Sequence, residues 1–351
     1  MTKFKNTIMS NIIESFDDLY KHTSAWGRIL IFFLLFAVIF FISKTFNKSQ
    51  KQEGFTTNFS YLNNDITSEL NTTNLNLDSN FSVKSSMTDV YDDFYANIYD
   101  DLLYYKFKNK YEIGILINNT YPTSESVILD IGSGTGHYVG NLASNGYIVK
   151  GIDISPSMIK KAKQNYPALA SNFIHGDVVD INIFNQNSFT HINCMDFTIY
   201  YIENKSAFFQ NCMNWLMPGG YLLLHLVDKN SFNYRIPSSG LFNNDKNSEK
   251  QMGNARIIQN KVAIPNHNME YSSIFEINNE NHYATINETF KKSSNDNQLV
   301  RKNTHTLYME SIDEINSMAL NEGFILQGMI DMGNIENSRH NQYIYVFTKP
   351  N

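Results

Sequence analysis

Ser126 to Pro167 reads SVILDIGSGTGHYVGNLASNGYIVKGIDISPSMIKKAKQNYP. Val127 to Ile131 is a short apolar run closed by glycine, the pattern of a buried strand. Gly132, Gly134 and Gly136 alternate after it, and Tyr138 to Ala143 then reads as helix. Glycines between a strand and a helix let the backbone pass close to a ligand and present the helix N-terminal N–H groups to it. A second strand, Tyr147 to Ile152, ends in Asp153, 23 residues beyond Asp130. At the tip of the second strand of a doubly wound sheet, an acid can accept both hydroxyls of a ribose. Ser155 can cap the next helix, and Pro156 suits its first position.

Two ligand classes use such a turn. The dinucleotide fingerprint needs G-x-G-x-x-G, whose third glycine permits close helix packing. Counted from Gly132 that third place is His137, and counted from Gly134 it is Val139. The pattern present, Asp130-x-Gly132-x-Gly134-x-Gly136, resembles instead the first motif of class I S-adenosylmethionine-dependent methyltransferases. Together with Asp153-x-Ser155-x-x-Met158 it is similar to the ubiquinone-biosynthesis-like (type 11/25) group of small-molecule enzymes. The resemblance implies S-adenosylmethionine as cofactor, with Asp130, Gly132, Gly134 and Gly136 at the turn, Asp153 on the ribose, and Ile154 and Met158 along the adenine. After a third strand, Asn172 to His175, it implies that Asp177 receives the adenine amino group, with Val178 beside it.

Further strands are predicted over Phe189 to Met195, Leu222 to Val227, Phe324 to Ile330 and Gln342 to Thr348, with helices over Phe208 to Leu216 and Ile312 to Gly323. The expected fold is α/β, a Rossmann-like seven-stranded methyltransferase sheet spanning residues 88–351. Residues 229–308, between the fifth strand and the next helix, are too long for a plain loop. Tyr271 to Ile277, Tyr283 to Phe290 and Leu299 to Met309 predict a small antiparallel sheet there, covering the open edge of the site as a substrate cap. Ten basic against seven acidic residues give this insertion a charge of +3, which suits an acidic substrate or simply scattered surface charge.

Upstream, Thr88 is a candidate N-cap for a helix whose stripe is Tyr91, Phe94, Tyr95, Ile98, Tyr99 and Leu102. The stripe reads first as a packing surface and second as a source of ligand-facing tyrosines, Tyr95 or Tyr99. Residues 47–87 are polar and aperiodic, the composition of a flexible tether. At about 40 residues its ends would lie roughly 35 Å apart. Ile29 to Ile42 is an unbroken apolar run; with Trp26 in a headgroup belt and Arg28 and Lys44 snorkelling, residues 26–46 make a single short transmembrane helix after a polar segment, 1–25. Basic residues are nearly balanced across the span, so orientation rests on S-adenosylmethionine being made in the cytosol, which the catalytic domain is expected to face.

The chain has 351 residues, 42% of them hydrophobic, enough for a substantial core and about two folded units. A net charge of -6 excludes a global positive field, so nucleic acid is not an expected partner. Cys194 and Cys212 are too few for a disulfide scaffold or a cysteine-based zinc site, and the nine histidines show no metal-ligand spacing. Asn193-Cys194-Met195-Asp196-Phe197 differs from the Asn/Asp-Pro-Pro-aromatic sequence of adenine and glutamine amino methyltransferases and from the Pro-Cys of cytosine-C5 enzymes. Methyl transfer is an in-line displacement that positioning and desolvation accelerate, with a base needed only if the acceptor arrives protonated. His225, on the fifth strand, is a candidate base or else a structural histidine; Tyr200 or Tyr201 would lie near the pocket mouth, and His137 would face cofactor or solvent. The function expected is therefore methyl transfer from S-adenosylmethionine to a small-molecule or lipid-like acceptor by a membrane-anchored enzyme. The alternative is an inactive methyltransferase-like domain serving as a membrane-tethered interaction module.

Overall fold

The computed structural model describes residues 82–351, apart from 233, 235, 237–247, 279, 293–298 and 335–339. The expected polar segment, the membrane helix over 26–46 and most of the tether lie outside these residues. Among the described residues no helix is long and apolar enough to cross a membrane.

In chain order the main elements begin with β1 (Ser82–Lys84), α1 (Met87–Val90), α2 (Asp93–Leu102) and α3 (Lys106–Thr120). They continue with β2 (Val127–Ile131), α4 (His137–Ser144), β3 (Ile148–Asp153), α5 (Pro156–Asn165), β4 (Phe173–His175) and β5 (Phe189–Cys194). Next come α6 (Thr198–Tyr201), α7 (Lys205–Trp215), β6 (Leu216–Val227), β7 (Ser248–Met252), β8 (Ala255–Ile264), β9 (Met269–Asn278), β10 (Tyr283–Lys292) and β11 (Leu299–Tyr308). The chain closes with α8 (Ile312–Asn321), β12 (Ile325–Asp331) and β13 (Gln342–Thr348).

One sheet has seven strands in the order β12-β13-β6-β5-β2-β3-β4. Pairing is parallel from β6 through β4, and β12 and β13 close the other edge antiparallel. The central strands are apolar along their length because helices cover both faces. Trp215, Phe208, Phe209 and Phe189 pack on one side, and Val139, Leu142, Val149, Ile159 and Phe173 on the other. From β2 the chain steps outward through β3 and β4, then returns to lay β5 on the opposite side of β2. That reversal opens a crevice at the carboxyl ends of β2 and β5, the place where doubly wound sheets bind ligands.

The second sheet, β1-β11-β10-β9-β8-β7, holds the insertion. Its strands are antiparallel except β1, which joins the edge parallel to β11. Burial alternates along β8, β9 and β10, as in a sheet with one face inward. Phe275, Ile277 and Ile286 belong to the core around Phe197 and Phe232, while Tyr271 and Phe290 pack with Tyr95 and Ile98 of α2.

Several expectations need correction. The insertion supplies five strands, not three. The inward positions of β8 are Arg256, Ile258, Asn260, Val262 and Ile264, and the two polar members hide the alternation. The tether expected up to residue 87 ends earlier, because Ser82–Lys84 finds backbone partners at the exposed edge of β11. Thr88 is not a cap. Ser86 accepts from Asp89 N to start α1, the chain breaks at Tyr91, and Asp92 restarts it by accepting from Tyr95 N. The strand expected from Leu222 begins at Leu216 and runs through the Pro-Gly-Gly sequence.

Candidate functional site

The glycine turn after β2 is built by close approach. Gly132 N and Ser133 N both donate to Ile152 O of β3, at 2.9 and 3.0 Å. Gly132 has φ +69, and a Cβ there would meet Cγ2 and Oγ1 of Thr198 at 2.5 Å, so no other residue fits without moving the start of α6. Gly134 N donates to Asp153 Oδ2 at 2.9 Å, and Ser155 N donates to Oδ1 at 2.8 Å. These two N–H groups hold the carboxylate at the tip of β3, facing a cavity of about 210 Å³. Burial nevertheless keeps the Asp153 carboxyl above its ordinary range. Ser155 caps α5 by accepting from Met158 N and donates to Tyr91 O, tying that helix to the lead-in segment.

Gly132, Gly134, Asp153, Ile154, Met158, Asp177 and Val178 all line this cavity. Of the sequence-derived cofactor residues, Asp130 and Gly136 do not. Gly136, with φ +91, is a packing position: a Cβ there would meet the Phe173 ring at 2.7 Å and Ala162 Cβ at 3.1 Å, so it lets α4 close onto α5 and β4. Asp130 lies beneath the turn, accepts from Asn193 Nδ2 at 2.6 Å, and borders a smaller adjoining cavity of about 60 Å³ with Ser133, Glu112 and Lys108. Burial raises its carboxyl well above the ordinary value, against the hydrogen bond from Asn193.

Of the two readings open for His225, candidate base or structural histidine, the contacts match the structural one. It is buried in β6, donates through Nδ1 to Asp196 O at 2.7 Å, sets its ring edge to face on Phe197, and does not line the cavity. It holds the Asp196 backbone, which sits at φ +53. Tyr200 is likewise structural, accepting from Val227 N at 2.8 Å. Tyr201, its neighbour on α6, lines the cavity. His137 borders the smaller cavity beside the glycine turn, where it stacks on Tyr104 at 3.6 Å and lies 3.1 Å from Asp100. Cys194 is buried, and burial pushes its thiol far up, which fits a packing role. Among the described residues no group of metal-binding side chains occurs.

Residues that pattern reading missed complete the cavity. Lys108 on α3, itself buried, bridges Glu112 at 2.6 Å and Asp196, placing a cation at the glycine-turn end. Beyond the turn the walls are aromatic: Tyr91, Tyr99, Phe197, Tyr201 and Tyr234. The aromatic stripe of the lead-in segment was the one available signal, and it divides differently than expected. Tyr99 and Tyr91 reach the cavity, whereas Tyr95 is buried and donates to Glu288 at 2.8 Å. The arrangement thus has one end with the Asp153 carboxylate beside apolar Ile154 and Met158, and a second end walled by tyrosines.

Residues 129–224 match the family model described as methyltransferase domain. The chain is 31% identical over 105 residues to the ubiquinone biosynthesis O-methyltransferase of Coxiella burnetii, which covers 29% of this chain and 44% of that relative. It is 28% identical over 113 residues to the phosphoethanolamine N-methyltransferase of Plasmodium falciparum, covering 31% and 42%. The chain therefore spans less than half the length of these relatives. Among solved structures, an S-adenosylmethionine-dependent methyltransferase from Clostridium acetobutylicum superposes with a TM-score of 0.51 at 15% identity, over 74% of this chain and 98% of that one. The sugar N-methyltransferase KedS8 of a Streptoalloteichus species gives 0.51 at 13% identity, over 79% and 100%. At such identities the likeness is one of fold.

Proposed function

We propose that this chain, whose folded part is a class I S-adenosylmethionine-dependent methyltransferase, moves a methyl group from that cofactor to a small-molecule or lipid-like acceptor lodged among the cavity's tyrosines. The observation that carries the reading is the Asp153 carboxylate, clamped by Gly134 N and Ser155 N at the rim of the crevice and flanked by Ile154, Met158 and Asp177. In this reading Asp153 accepts both ribose hydroxyls, and Ile154, Met158 and Val178 enclose the adenine. Asp177 lies at the same end for its amino group. The methionine end of the cofactor then lies over the glycine turn, where Lys108 can meet its carboxylate. The sulfonium methyl points toward the aromatic end, and Tyr91, Tyr99 and Phe197 exclude water from the displacement.

Calorimetry on the full chain in detergent tests this. S-adenosylmethionine and S-adenosylhomocysteine should bind in the micromolar range, about -8 kcal/mol, and Asp153→Ala should abolish the heat. A folded protein that binds neither would leave the interaction-module reading in its place. The membrane helix over 26–46, with the catalytic domain on the cytosolic side, belongs to the same proposal. It is supported by the unbroken apolar run Ile29 to Ile42 and its snorkelling flanks. Protease protection of the domain inside sealed vesicles would overturn that orientation.

A further inference from the structure

Behind the tyrosine wall the insertion sheet buries an ionisable pair that the cofactor half does not use. Glu288 on β10 and His305 on β11 are 3% and 4% exposed. Oε1 of Glu288 accepts from the hydroxyls of Tyr95 and Tyr271, both at 2.8 Å. Oε2 accepts from Asn303 Nδ2 at 2.8 Å and lies 2.8 Å from Nε2 of His305. Surrounded by donors, Glu288 is held as a carboxylate. Burial alone would raise its carboxyl, but His305 and the hydrogen bonds from Asn303 and Tyr95 outweigh burial and hold it below the ordinary value.

An acceptor-only carboxylate requires that Nε2 of His305 carry a proton. In the neutral imidazole Nδ1 then has only a lone pair, and it lies 2.9 Å from the Tyr201 hydroxyl. The oxygen of Tyr201 accepts in turn from the Tyr91 hydroxyl at 3.1 Å. Tyr201 and Tyr91 both line the cavity, while His305 and Glu288 do not. The hydroxyls of Tyr91 and Tyr201 point the same way, from the cavity toward His305, whose Nε2 lies against Glu288.

We propose that Tyr91, Tyr201, His305 and Glu288 form a proton relay serving the methyl transfer proposed above, and that the acceptor is of the class whose reacting atom arrives protonated, a hydroxyl or an ammonium. The acceptor's O–H or N–H gives its proton to a tyrosine oxygen, and the Tyr201 hydroxyl proton passes to Nδ1 of His305. The freed lone pair attacks the sulfonium methyl, the carbon–sulfur bond breaks, and its electron pair stays on sulfur as the thioether. One positive charge leaves the sulfonium and one appears on the imidazolium, where the Glu288 carboxylate faces it. Burial holds the phenol of Tyr201 well above its ordinary range, so proton loss to one side accompanies proton gain from the other and no standing tyrosinate forms. Tyr91 and Tyr201 are catalytic in this scheme, and Glu288 positions the ring. Around His305 the facing groups are Glu288 from β10, Tyr201 from α6, and the ring edges of Tyr91 and Tyr95 from the lead-in segment. Arg301, on the same strand, is committed to Asp92 at 2.7 Å and to Asn303 at 2.6 Å.

The test uses the full chain labelled with [15N]histidine in detergent, and needs neither acceptor nor turnover. In the neutral ring of His305, assigned by His305→Gln or, should that variant misfold, by its response to Tyr201→Phe, the proton should sit on Nε2. A neutral ring protonated on Nδ1 leaves no lone pair for Tyr201 and overturns the relay. Transfer of tritiated methyl from S-adenosylmethionine to membrane extract should fall about 100-fold or more in Tyr201→Phe near pH 7, with the deficit shrinking as pH rises. Transfer at the wild-type rate overturns the relay as well. The two readings fail separately: loss of cofactor binding in calorimetry sinks the methyltransferase reading, whereas a wrong tautomer in a cofactor-binding protein sinks only the relay.

Discussion

The two ends of the cavity are made in opposite ways. The cofactor end draws Gly132 through Val178 from one continuous stretch and holds Asp153 with backbone N–H groups. The aromatic end gathers Tyr91 and Tyr99 from the lead-in segment, Tyr201 from α6 and Tyr234 from the insertion, and it is tied to Glu288 and His305 by side-chain hydrogen bonds. Backbone donors present a fixed geometry whatever the neighbouring side chains are, which suits a ligand that never changes. Side-chain walls can be rebuilt residue by residue, which suits an acceptor that differs from one enzyme to the next.

Four substitutions probe that contrast, beginning with the largest effect. Phe275→Ala removes a buried ring that meets Phe197, Phe232 and Tyr234, and should destabilise the domain by about 3–5 kcal/mol in chemical denaturation. A single transition shifted as a whole would mean both ends fold as one unit. Two separated transitions would mean the insertion sheet melts apart from the cofactor end. Asp153→Ala should weaken S-adenosylhomocysteine binding at least 100-fold, about 2.7 kcal/mol, while leaving the melting temperature nearly unchanged. An equal fall in stability would show that the carboxylate organises the turn and is not chiefly a ligand contact.

Gly132→Ala sets a Cβ against Thr198 in a left-handed conformation and should cost about 1–3 kcal/mol of stability together with cofactor affinity. Because Thr198 begins α6, which carries Tyr201, this change alone should disturb both ends, and the double variant Gly132→Ala/Thr198→Ser should recover part of the loss. The smallest effect concerns Asp130. Its folded pKa is raised by burial, so the native state holds a proton more tightly than the unfolded chain. The stability this contributes is full below the unfolded value near pH 4 and is lost as pH rises through the folded value. Asp130→Asn keeps an acceptor for Asn193 and should raise the melting temperature at pH 7 by about 2–4 °C, with no gain near pH 4. A gain independent of pH would remove burial of the charge as the cause.

How much was legible follows from the same division. The strand over Val127–Ile131, the acid at its neighbour's tip and the cap at Ser155 were readable because each is a short-range rule: an apolar run, a glycine turn, a serine before proline. Gly136 and Asp130 sit in the motif but not on the cavity wall, because sequence spacing does not reveal whether a position faces a ligand or a neighbouring helix. His225 looked chemical on a strand that reaches the pocket. Its ring is instead buried, and the Asp196 carbonyl accepts a hydrogen bond from its Nδ1. Lys108, on a helix with no clean amphipathic pattern, carried no signal at all.

By itself the sequence determined the alternation of strands and helices from β2 through β5, the glycine turn and the position of Asp153, because those depend on residues within a few places of one another. The tertiary structure alone decided that β8 is a strand with Arg256 and Asn260 turned inward. It also decided that α2 and the insertion sheet meet across Glu288, and that Tyr201 finds His305 at 104 residues' distance and Tyr91 at 110. Contacts so far apart in the chain have no period and no local propensity to announce them. They exist because two amphipathic surfaces bury each other, and the polar groups caught between must find partners there.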